Sequence, residues 1–399
     1  MQYSRVHMES IGYELPPVVV TSTDLESRLM PMYDALHIAP GQLEALTGIS
    51  ERRWWEEGHM LSDGAATAAR KALEQSNVRA EEIEALIYTG VCRENFEPAT
   101  ACAVAAQLGI KDDANIYDIS NACLGVMNGI IDIANRIELK QIRAGMVVSC
   151  ETSREIVEIM IERMLNDRTM DMFSRSLATL TGGSGAAAVL LTDGSFDNDQ
   201  THKLLGGANQ SAPEYHKLCR WGVTLSPVAL GELMFSPDKL LAAIDQVMEP
   251  DALPGVVKEI MTSDKIPPSL ASMMPSQKLP DALSEFMSTD SVAVLTHGAK
   301  LGVKTWGSFL SKMGWARDQV DKVICHQVGE GHRDTILKEL GIDPAKDFST
   351  YQYLGNIGTV SVPLTAAIAE QRQFLKPGDR VSFLGIGSGL NCLMLGWEW

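Results

Sequence analysis

The stretch "SNACLGVMNGIIDIANRIELKQIRAGMVV" (Ser120–Val148) contains the unit from which much of the chain is built. It opens with small and polar residues around one cysteine, Cys123, and continues with apolar residues at helical spacing. A turn and a run of apolar residues follow, so the stretch predicts a loop, a helix, a turn and a buried strand. A cysteine just before a helix is either a small core residue or a nucleophile.

The same order of segments returns near the end of the chain, in "LGNIGTVSVPLTAAIAEQRQFLKPGDRVSFL" (Leu354–Leu384). Met146 follows Asn121 by 25 positions, and Val381 follows Asn356 by the same interval. In this alignment the Asn356 loop occupies the position of the Cys123 loop.

A second pair of segments precedes these two. "EQSNVRAEEIEALIYTGV" (Glu74–Val91) aligns with "LSKMGWARDQVDKVICHQV" (Leu310–Val328), so that Ile87 matches Ile324 at an offset of 237. Each segment has the pattern of a helix end, a turn and a strand. Two aligned pairs in the same order favour an internal duplication over chance similarity between α/β units.

Composition limits the possible classes of protein. Of 399 residues, 45% are hydrophobic and 21% charged, and the net charge of -17 argues against nucleic-acid binding. The first residues, "MQYSRVHMES", lack a signal-peptide pattern, and we expect no transmembrane segment. The seven cysteines are scattered and contain no C-x-x-C, so we expect a reducing cytoplasm and no metal site.

Strand patterns alternate with helix patterns, which predicts an α/β layered architecture. We divide the chain into an N-terminal half (1–194), a helical cap or insertion (195–290) and a C-terminal half (291–399). Methionines and prolines are frequent in the middle region, where methionines either line an adaptable apolar pocket or fill gaps in a small helical core. In the first half, Ser62–Val78 is predicted to be a helix with Ser62 or Asp63 as its N-cap.

Three residues are candidates for chemistry. A helix N-terminus after Cys123 would lower the pKa of its thiol, and the N–H groups there would hold an oxyanion. His326 ends a predicted strand, the position at which open α/β sheets place their sites, and the other seven histidines lack such a setting. Asn356 lies in a glycine-containing loop, where it either serves the turn or donates a hydrogen bond beside His326.

The segment "LGIGSGLN" (Leu384–Asn391) is a glycine-rich loop that follows a long strand pattern and precedes another strand pattern, "CLMLGWEW". No helix pattern follows it, so a dinucleotide site is disfavoured. Its glycines, including Gly387 and Gly389, would let the N–H of Ser388 approach a substrate carbonyl.

Together these motifs closely resemble the thiolase superfamily, on the ketoacyl-ACP synthase III side. The matching segments are "NACLG", "CHQVG", "GNIG", "GGSGAAAVLL", "TGISERRWW" and the glycine loop. The resemblance implies a duplicated thiolase fold with a five-layered α-β-α-β-α core. It assigns catalysis to Cys123, His326 and Asn356, the oxyanion hole to the N–H groups of Cys123 and Ser388, and substrate contacts to the glycine loop.

Within the superfamily, "RRWWEEGHMLSDGAATAARKAL" and "ENFEPATA" resemble the OleA-type thiolases, which join two acyl-CoA chains head to head. The resemblance implies a homodimer in which Glu97, 26 positions before Cys123, reaches the partner's site as the base. Glu94 is the local competitor, and a loop carboxylate or a dimer salt bridge is the alternative reading of Glu97. The middle region looks longer than expected for this subgroup, which leaves the acyl chain length open.

The resemblance implies a non-decarboxylative Claisen condensation of two fatty acyl-CoA thioesters, of the long-chain olefin or ketone type, through an acyl group on Cys123. The coenzyme A thioester is the substrate, and no cofactor is expected; an acyl carrier protein is the alternative carrier. The alternative functions are a decarboxylative ketoacyl-ACP synthase III, which uses malonyl-ACP, and a pyrone- or dione-forming ketosynthase. Another alternative is a non-catalytic partner subunit with the thiolase fold. Such a subunit would lack one of the three catalytic residues, and all three are present.

Overall fold

The computed structural model describes residues 1–196, 198, 201–225 and 283–399. The chain divides into one unit of Met1–Arg220 with Ser288–Trp399 and a second unit of Trp221–Met287. Most of the predicted cap, with five of the six methionines between 234 and 287, lies at 226–282, outside the described residues. The candidate site residues all belong to the first unit.

The described elements follow in chain order. The strands are β1 (His7–Glu14), β2 (Val18–Thr21), β3 (Glu51–Trp54), β4 (Ala85–Thr89), β5 (Asn115–Ile119), β6 (Ala144–Glu151), β7 (Gly185–Thr192), β8 (His202–Ser211), β9 (Cys219–Leu225), β10 (Leu283–Thr289), β11 (Lys322–Cys325), β12 (Arg380–Gly387) and β13 (Asn391–Glu398). The α-helices are α1 (Ser22–Leu36), α2 (Gln42–Thr47), α3 (Leu61–Glu74), α4 (Thr100–Leu108), α5 (Gly125–Glu138), α6 (Arg154–Asn166), α7 (Met170–Leu180), α8 (Ser291–Met313), α9 (Glu330–Leu340), α10 (Tyr351–Leu354) and α11 (Ser361–Gln371).

Nine strands form one mixed sheet in the order β11-β12-β13-β8-β1-β7-β6-β4-β5, while β2 pairs with β3 and β9 with β10. The duplication is visible in the pairing. In the first half β4 runs parallel to β6, with Ile87 opposite Val147. In the second half β11 runs parallel to β12, with Ile324 opposite Phe383. Ile87 and Ile324 therefore occupy matching positions in the two halves of the sheet. The second alignment is shifted by one residue, because it matches Val147 with Ser382 and not with Phe383.

The helices α5 and α11 form the central layer. Their apolar faces share one buried cluster with strands of both halves, in which Ile133 of α5 and Val362 of α11 accompany Phe383 of β12. On the outside, α3 packs against β1, β6 and β7, and α8 packs against β8 and β13. This arrangement is the predicted α-β-α-β-α core, and it places α5 and α11 in the central layer of the first unit.

Two details of the prediction were wrong. The range assigned to a helical insertion (195–290) contains β8, a sheet strand that pairs with β13 and β1 and so joins the two halves. The helix α3 begins at Leu61 after an N-cap at Met60 and ends at Glu74, with no side-chain cap from Ser62 or Asp63. The carboxylate of Glu94 accepts the Ser62 N–H instead (2.6 Å), so a distant residue replaces the expected local cap.

The close packing of α3 on β1 is testable at Gly12. A Cβ there would lie 2.0 Å from the Ala68 carbonyl oxygen and 2.5 Å from the Ala72 nitrogen. We expect Gly12→Ala to destabilise the protein by about 1–3 kcal/mol, because main-chain atoms must move apart. Calorimetric unfolding measures the change.

The matched control is Gly307→Ala, at an exposed position of α8 where nothing lies within 4 Å of the added Cβ. This change is expected to stabilise the protein by up to about 1 kcal/mol, since glycine is a poor helix former. Equal unfolding midpoints for the two variants would contradict the packing described.

Candidate active site

Cys123 lies in a tight turn at the start of α5. The preceding residue, Ala122, has a φ of +45°, which is uncommon outside glycine, and the Leu124 N–H donates to the Asn121 carbonyl oxygen (2.9 Å). The helix begins two residues later, at Gly125. The turn thus presents a half-buried thiol just ahead of the helix N-terminus.

The glycine loop of the second half packs against this turn. A Cβ on Gly387 would lie 3.4 Å from the Cys123 nitrogen and 3.2 Å from Cγ of Leu124, so the main chain of the glycine loop lies directly against the turn. The Asn391 side chain donates to Oδ1 of Asn121 (3.0 Å), whose Nδ2 donates to Oδ1 of Asn128 (2.8 Å). Ser388 and Gly389 form the turn between Gly387 and β13.

Burial raises the pKa of the Cys123 thiol to about 12, and nearby Cys219 and Glu151 add to the rise. The residue's own N–H opposes the shift. The expectation of a lowered thiol pKa was therefore wrong, because the loss of hydration around the thiolate outweighs the helix N-terminus. In the resting chain Cys123 carries its proton, so a nucleophilic role for this thiol would require a base.

His326 follows β11 and continues its ladder, since its N–H donates to the Leu384 carbonyl oxygen (2.8 Å). Ile324 belongs to the central apolar cluster and Cys325 to the outer one. Strand alternation therefore directs His326 towards the central layer, as it does Ile324, and directs Cys325 away from it.

Burial, with a smaller contribution from the neighbouring His332, lowers the pKa of His326 to about 3. The ring is neutral, so it is able to accept a proton or to donate its remaining N–H. Sequence reasoning gave His332 no special setting. In the structure, burial lowers the pKa of His332 to about 4, and Nδ1 of each ring is buried without a hydrogen-bond partner in the described part of the chain.

Asn356 is fixed by its main chain. Its N–H donates to the Thr181 carbonyl oxygen (2.8 Å), and its own carbonyl oxygen accepts the Gly183 N–H (2.9 Å). The side-chain Oδ1 accepts the Gly358 N–H (3.1 Å), so the Nδ2 amino group is the part that remains to face a ligand.

One hydrogen bond joins the Asn356 turn to the Cys123 helix. The Val126 N–H, in the first turn of α5, donates to the Thr359 hydroxyl oxygen (2.7 Å). Because Thr359 lies three residues after Asn356, the two loops that the repeat made equivalent lie side by side. The structure thus brings together the segments of Cys123, His326, Asn356 and the glycine loop.

Glu97 has a different position. It lies on an exposed loop, and the preceding residue, Phe96, is 102% exposed. Its competitor Glu94 is already engaged, with its carboxylate on the Ser62 N–H and its own N–H directed to the Thr100 hydroxyl (3.4 Å). Glu94 is therefore held by its hydrogen bonds, whereas Glu97 is exposed to solvent in the single chain.

Four site residues escaped sequence reasoning. Asn121 and Asn391 lie within quoted motifs, yet only the fold reveals that they bond to each other. No sequence pattern marked Thr359 or Glu151, because the sequence does not show whether a threonine or a glutamate is buried. Within "TGISERRWW", Arg52 is fully buried and donates to the Leu180 carbonyl oxygen (3.1 Å), which is a structural role.

Over the described residues, no group of three or more histidine, cysteine, aspartate or glutamate side chains is arranged to hold a metal ion. The same residues contain no helix that is both long and apolar enough to cross a bilayer.

Comparison with known proteins agrees with this geometry. Residues 47–182 match the thiolase N-terminal domain, and residues 310–399 match the C-terminal domain of 3-oxoacyl-[acyl-carrier-protein] synthase III. An acyl-CoA:acyl-CoA alkyltransferase of Shewanella oneidensis is 51% identical, and the match covers 100% of both chains. The chain belongs to the family of acyl-CoA:acyl-CoA alkyltransferases.

Other acyl-CoA:acyl-CoA alkyltransferases are more distant but match as completely. The enzyme of Xanthomonas campestris is 33% identical over 100% of both chains. A crystal structure of Xanthomonas campestris OleA superposes with a TM-score of 0.81 at 33% identity, covering 100% of this chain and 98% of that one. The alkyltransferase family thus has the thiolase fold deduced above.

The whole-length matches also correct the expectation of a long middle region. The Shewanella oneidensis enzyme aligns over 401 positions with a chain of 399 residues. The alignment leaves no room for a long insertion, so the middle region is part of the common length of the family.

The raised pKa of Cys123 predicts how the thiol reacts with iodoacetamide. Because only the thiolate reacts, the alkylation rate should rise about tenfold for each pH unit from pH 6 to pH 10. Intact-mass analysis gives the rate, with Cys123→Ala as the background. A plateau near neutral pH would reveal a thiolate–imidazolium pair and would contradict the neutral site.

Proposed function

We propose that the protein joins two fatty acyl-CoA molecules head to head by a non-decarboxylative Claisen condensation. The product is a 2-alkyl-3-ketoacyl thioester, released as such or hydrolysed to the β-keto acid. The observation that carries the proposal is the setting of Cys123, a half-buried thiol at a helix start with the Gly387 main chain against its N–H. The whole-length similarity to alkyltransferases supports the same reaction.

In the first half-reaction the Cys123 sulfur attacks the carbonyl carbon of an acyl-CoA. The thiol proton passes to the neutral His326 ring, and coenzyme A leaves as its thiol, taking up a proton. The N–H groups of Cys123 and Ser388 stabilise the tetrahedral oxyanion, for which Gly387 leaves room. The result is a thioester on Cys123.

In the second half-reaction another acyl-CoA binds with its carbonyl oxygen facing His326 and Asn356. The imidazole N–H and the Nδ2 amino group donate to that oxygen and stabilise the enolate. Glu97 removes the α-proton. The α-carbon then attacks the Cys123 thioester, the new carbon–carbon bond forms, and the Cys123 sulfur leaves.

The second copy of the chain supplies Glu97. In one chain the residue lies on an exposed loop, and burying a side chain such as Phe96 is worth about 1.5–3 kcal/mol. A homodimer that covers Phe96 against the partner would carry Glu97 with it. The exposure of both residues supports this arrangement.

Solved structures of the Xanthomonas campestris enzyme support the assignments. One contains bound lauric acid and lauroyl-CoA, and the variants solved replace a cysteine, a glutamate and a histidine. These are the residue types of Cys123, Glu97 and His326. All seven cysteines of the present chain are free, which supports the proposed cytoplasmic location.

Incubation with a long-chain acyl-CoA alone, with and without malonyl-ACP, tests the reaction. We expect release of coenzyme A and a doubled-chain ketone, formed when the β-keto acid loses CO2, in the absence of malonyl-ACP. Mass spectrometry of the lipid extract measures the product, and Cys123→Ser is the blank. Strict dependence on malonyl-ACP would assign the protein to the decarboxylative synthases instead.

Mixed dimers test the contribution of Glu97 across the interface. Glu97→Ala and Cys123→Ala homodimers should both fail to condense, the former after normal acylation. A heterodimer of the two variants has one intact Cys123 served by the Glu97 of the other chain, so condensation should return to about half the wild-type rate. Differently tagged subunits isolate the heterodimer. An inactive heterodimer would show that Glu97 acts within its own chain.

A further inference from the structure

Glu151, the last residue of β6, is a buried carboxylate that the mechanism above does not use. It is 4% exposed, and its two oxygens accept consecutive main-chain donors, the N–H of Val91 on Oε1 (3.1 Å) and that of Cys92 on Oε2 (3.2 Å). These two residues begin the loop that carries Glu97. The carboxylate therefore holds the near end of that loop.

The same carboxylate reaches the second half of the chain. The Thr359 N–H also donates to it, and a Cβ on Gly358 would lie 3.2 Å from the carboxyl carbon. The Thr359 hydroxyl in turn accepts the Val126 N–H of the Cys123 helix (2.7 Å). The Glu151 main chain is held as well, because its carbonyl oxygen accepts from the Trp55 indole (3.1 Å).

The rest of the Glu97 loop is fixed elsewhere. Its middle is held by Glu94, which accepts the Ser62 N–H, and its far end by Asp118, which accepts the N–H groups of Thr100 and Ala101 (2.9 Å each). The tip, with Glu97, is exposed between these anchors. Glu151 is the anchor that connects the loop with the segments of Asn356 and Cys123.

We propose that Glu151 is a positioning residue for the condensation step: it fixes the near end of the Glu97 loop to the core of its own chain, so that the loop extends in a set direction towards the partner subunit's site. The inference rests on the proposed role of Glu97 as the base. Glu151 touches neither substrate nor reacting atom; it acts through Glu97. Proton removal depends on distance and alignment, whereas acylation of Cys123 does not use the loop.

The chemistry of the side chain explains why a carboxylate is needed. Two neighbouring N–H donors meet two acceptor oxygens, one each. Glutamine has the same length but presents one oxygen and one donor, so one N–H of the loop loses its partner. Aspartate keeps both acceptors on a stem that is shorter by one methylene.

The experiment measures the two half-reactions separately. Glu151→Gln should acylate Cys123 at close to the wild-type rate, by intact mass, while condensation falls about 10- to 100-fold. Glu151→Asp, which keeps both acceptor oxygens on a shorter stem, should condense faster than Glu151→Gln and more slowly than wild type. Equal losses in both half-reactions, or unchanged condensation in both variants, would overturn the proposal.

The control is Glu26→Gln, which removes a comparable buried carboxylate of α1. Glu26 is 4% exposed and also accepts two N–H groups, from Gly41 and Leu43 (2.7 Å each), but it holds no part of the site. We expect it to lower the unfolding midpoint and to leave the ratio of condensation to acylation unchanged. The same ratio change in Glu26→Gln would make the effect of Glu151 a general loss of stability and would overturn the proposal.

A double-mutant cycle decides whether Glu151 acts through Glu97. If it does, Glu151→Gln does not lower the residual condensation rate of Glu97→Ala, measured at high enzyme concentration, because the residue it positions is gone. Multiplicative losses would overturn the inference. Failure of the proposed function looks different, since Glu97→Ala alone would then condense normally.

Discussion

The hydrogen bond from the Val126 N–H to the Thr359 hydroxyl joins the two halves of the chain where their central helices begin. The first N–H groups of a helix have no partner within it, and here the other half supplies one. The bond is buried. The two helices also share an apolar cluster, in which the burial of each isoleucine side chain contributes about 1.5–3 kcal/mol to stability. Neither half could cover its central helix alone.

This constraint explains why the site is assembled from both halves. The first half contributes the turn of Cys123, and the second contributes His326, Asn356 and the glycine loop. The Asn391–Asn121 and Gly387–Cys123 contacts hold the turns together from the other side. This packing buries the site, and burial raises the pKa of the Cys123 thiol and lowers the pKa of His326, so that both groups are neutral at rest. In the mechanism proposed above, charge develops only during the reaction, and the N–H donors stabilise it.

Much of the fold was predictable, because it depends on local patterns and their repetition. The strands ending near Thr89 and Cys325, and the helices after Cys123 and Gly358, follow from apolar periodicity, and the repeat gave their correspondence. The end of α9 at Gly341, which has a φ of +64°, also depends on the local sequence alone, because glycine adopts this conformation easily.

Features that depend on distant contacts were not predictable. The strand β8 has two glycines and few apolar residues, and it is a strand because β13 and β1 flank it. The N–H of Ser62 is satisfied by Glu94, 32 positions away. The pKa of Cys123 depends on burial, which the helix-start pattern does not encode. Glu151 resembles any other glutamate until the fold encloses it.

The central claim is that two whole acyl chains are joined through the α-carbon of one of them. The mass of the product from an α,α-dideuterated acyl-CoA, given as the only substrate, tests it most directly. We predict a doubled-chain product in which the chain once held by Cys123 keeps both deuterons and the other chain keeps at most one. A product lengthened by two carbons with both deuterons retained, formed only when a malonyl thioester is added, would contradict the account.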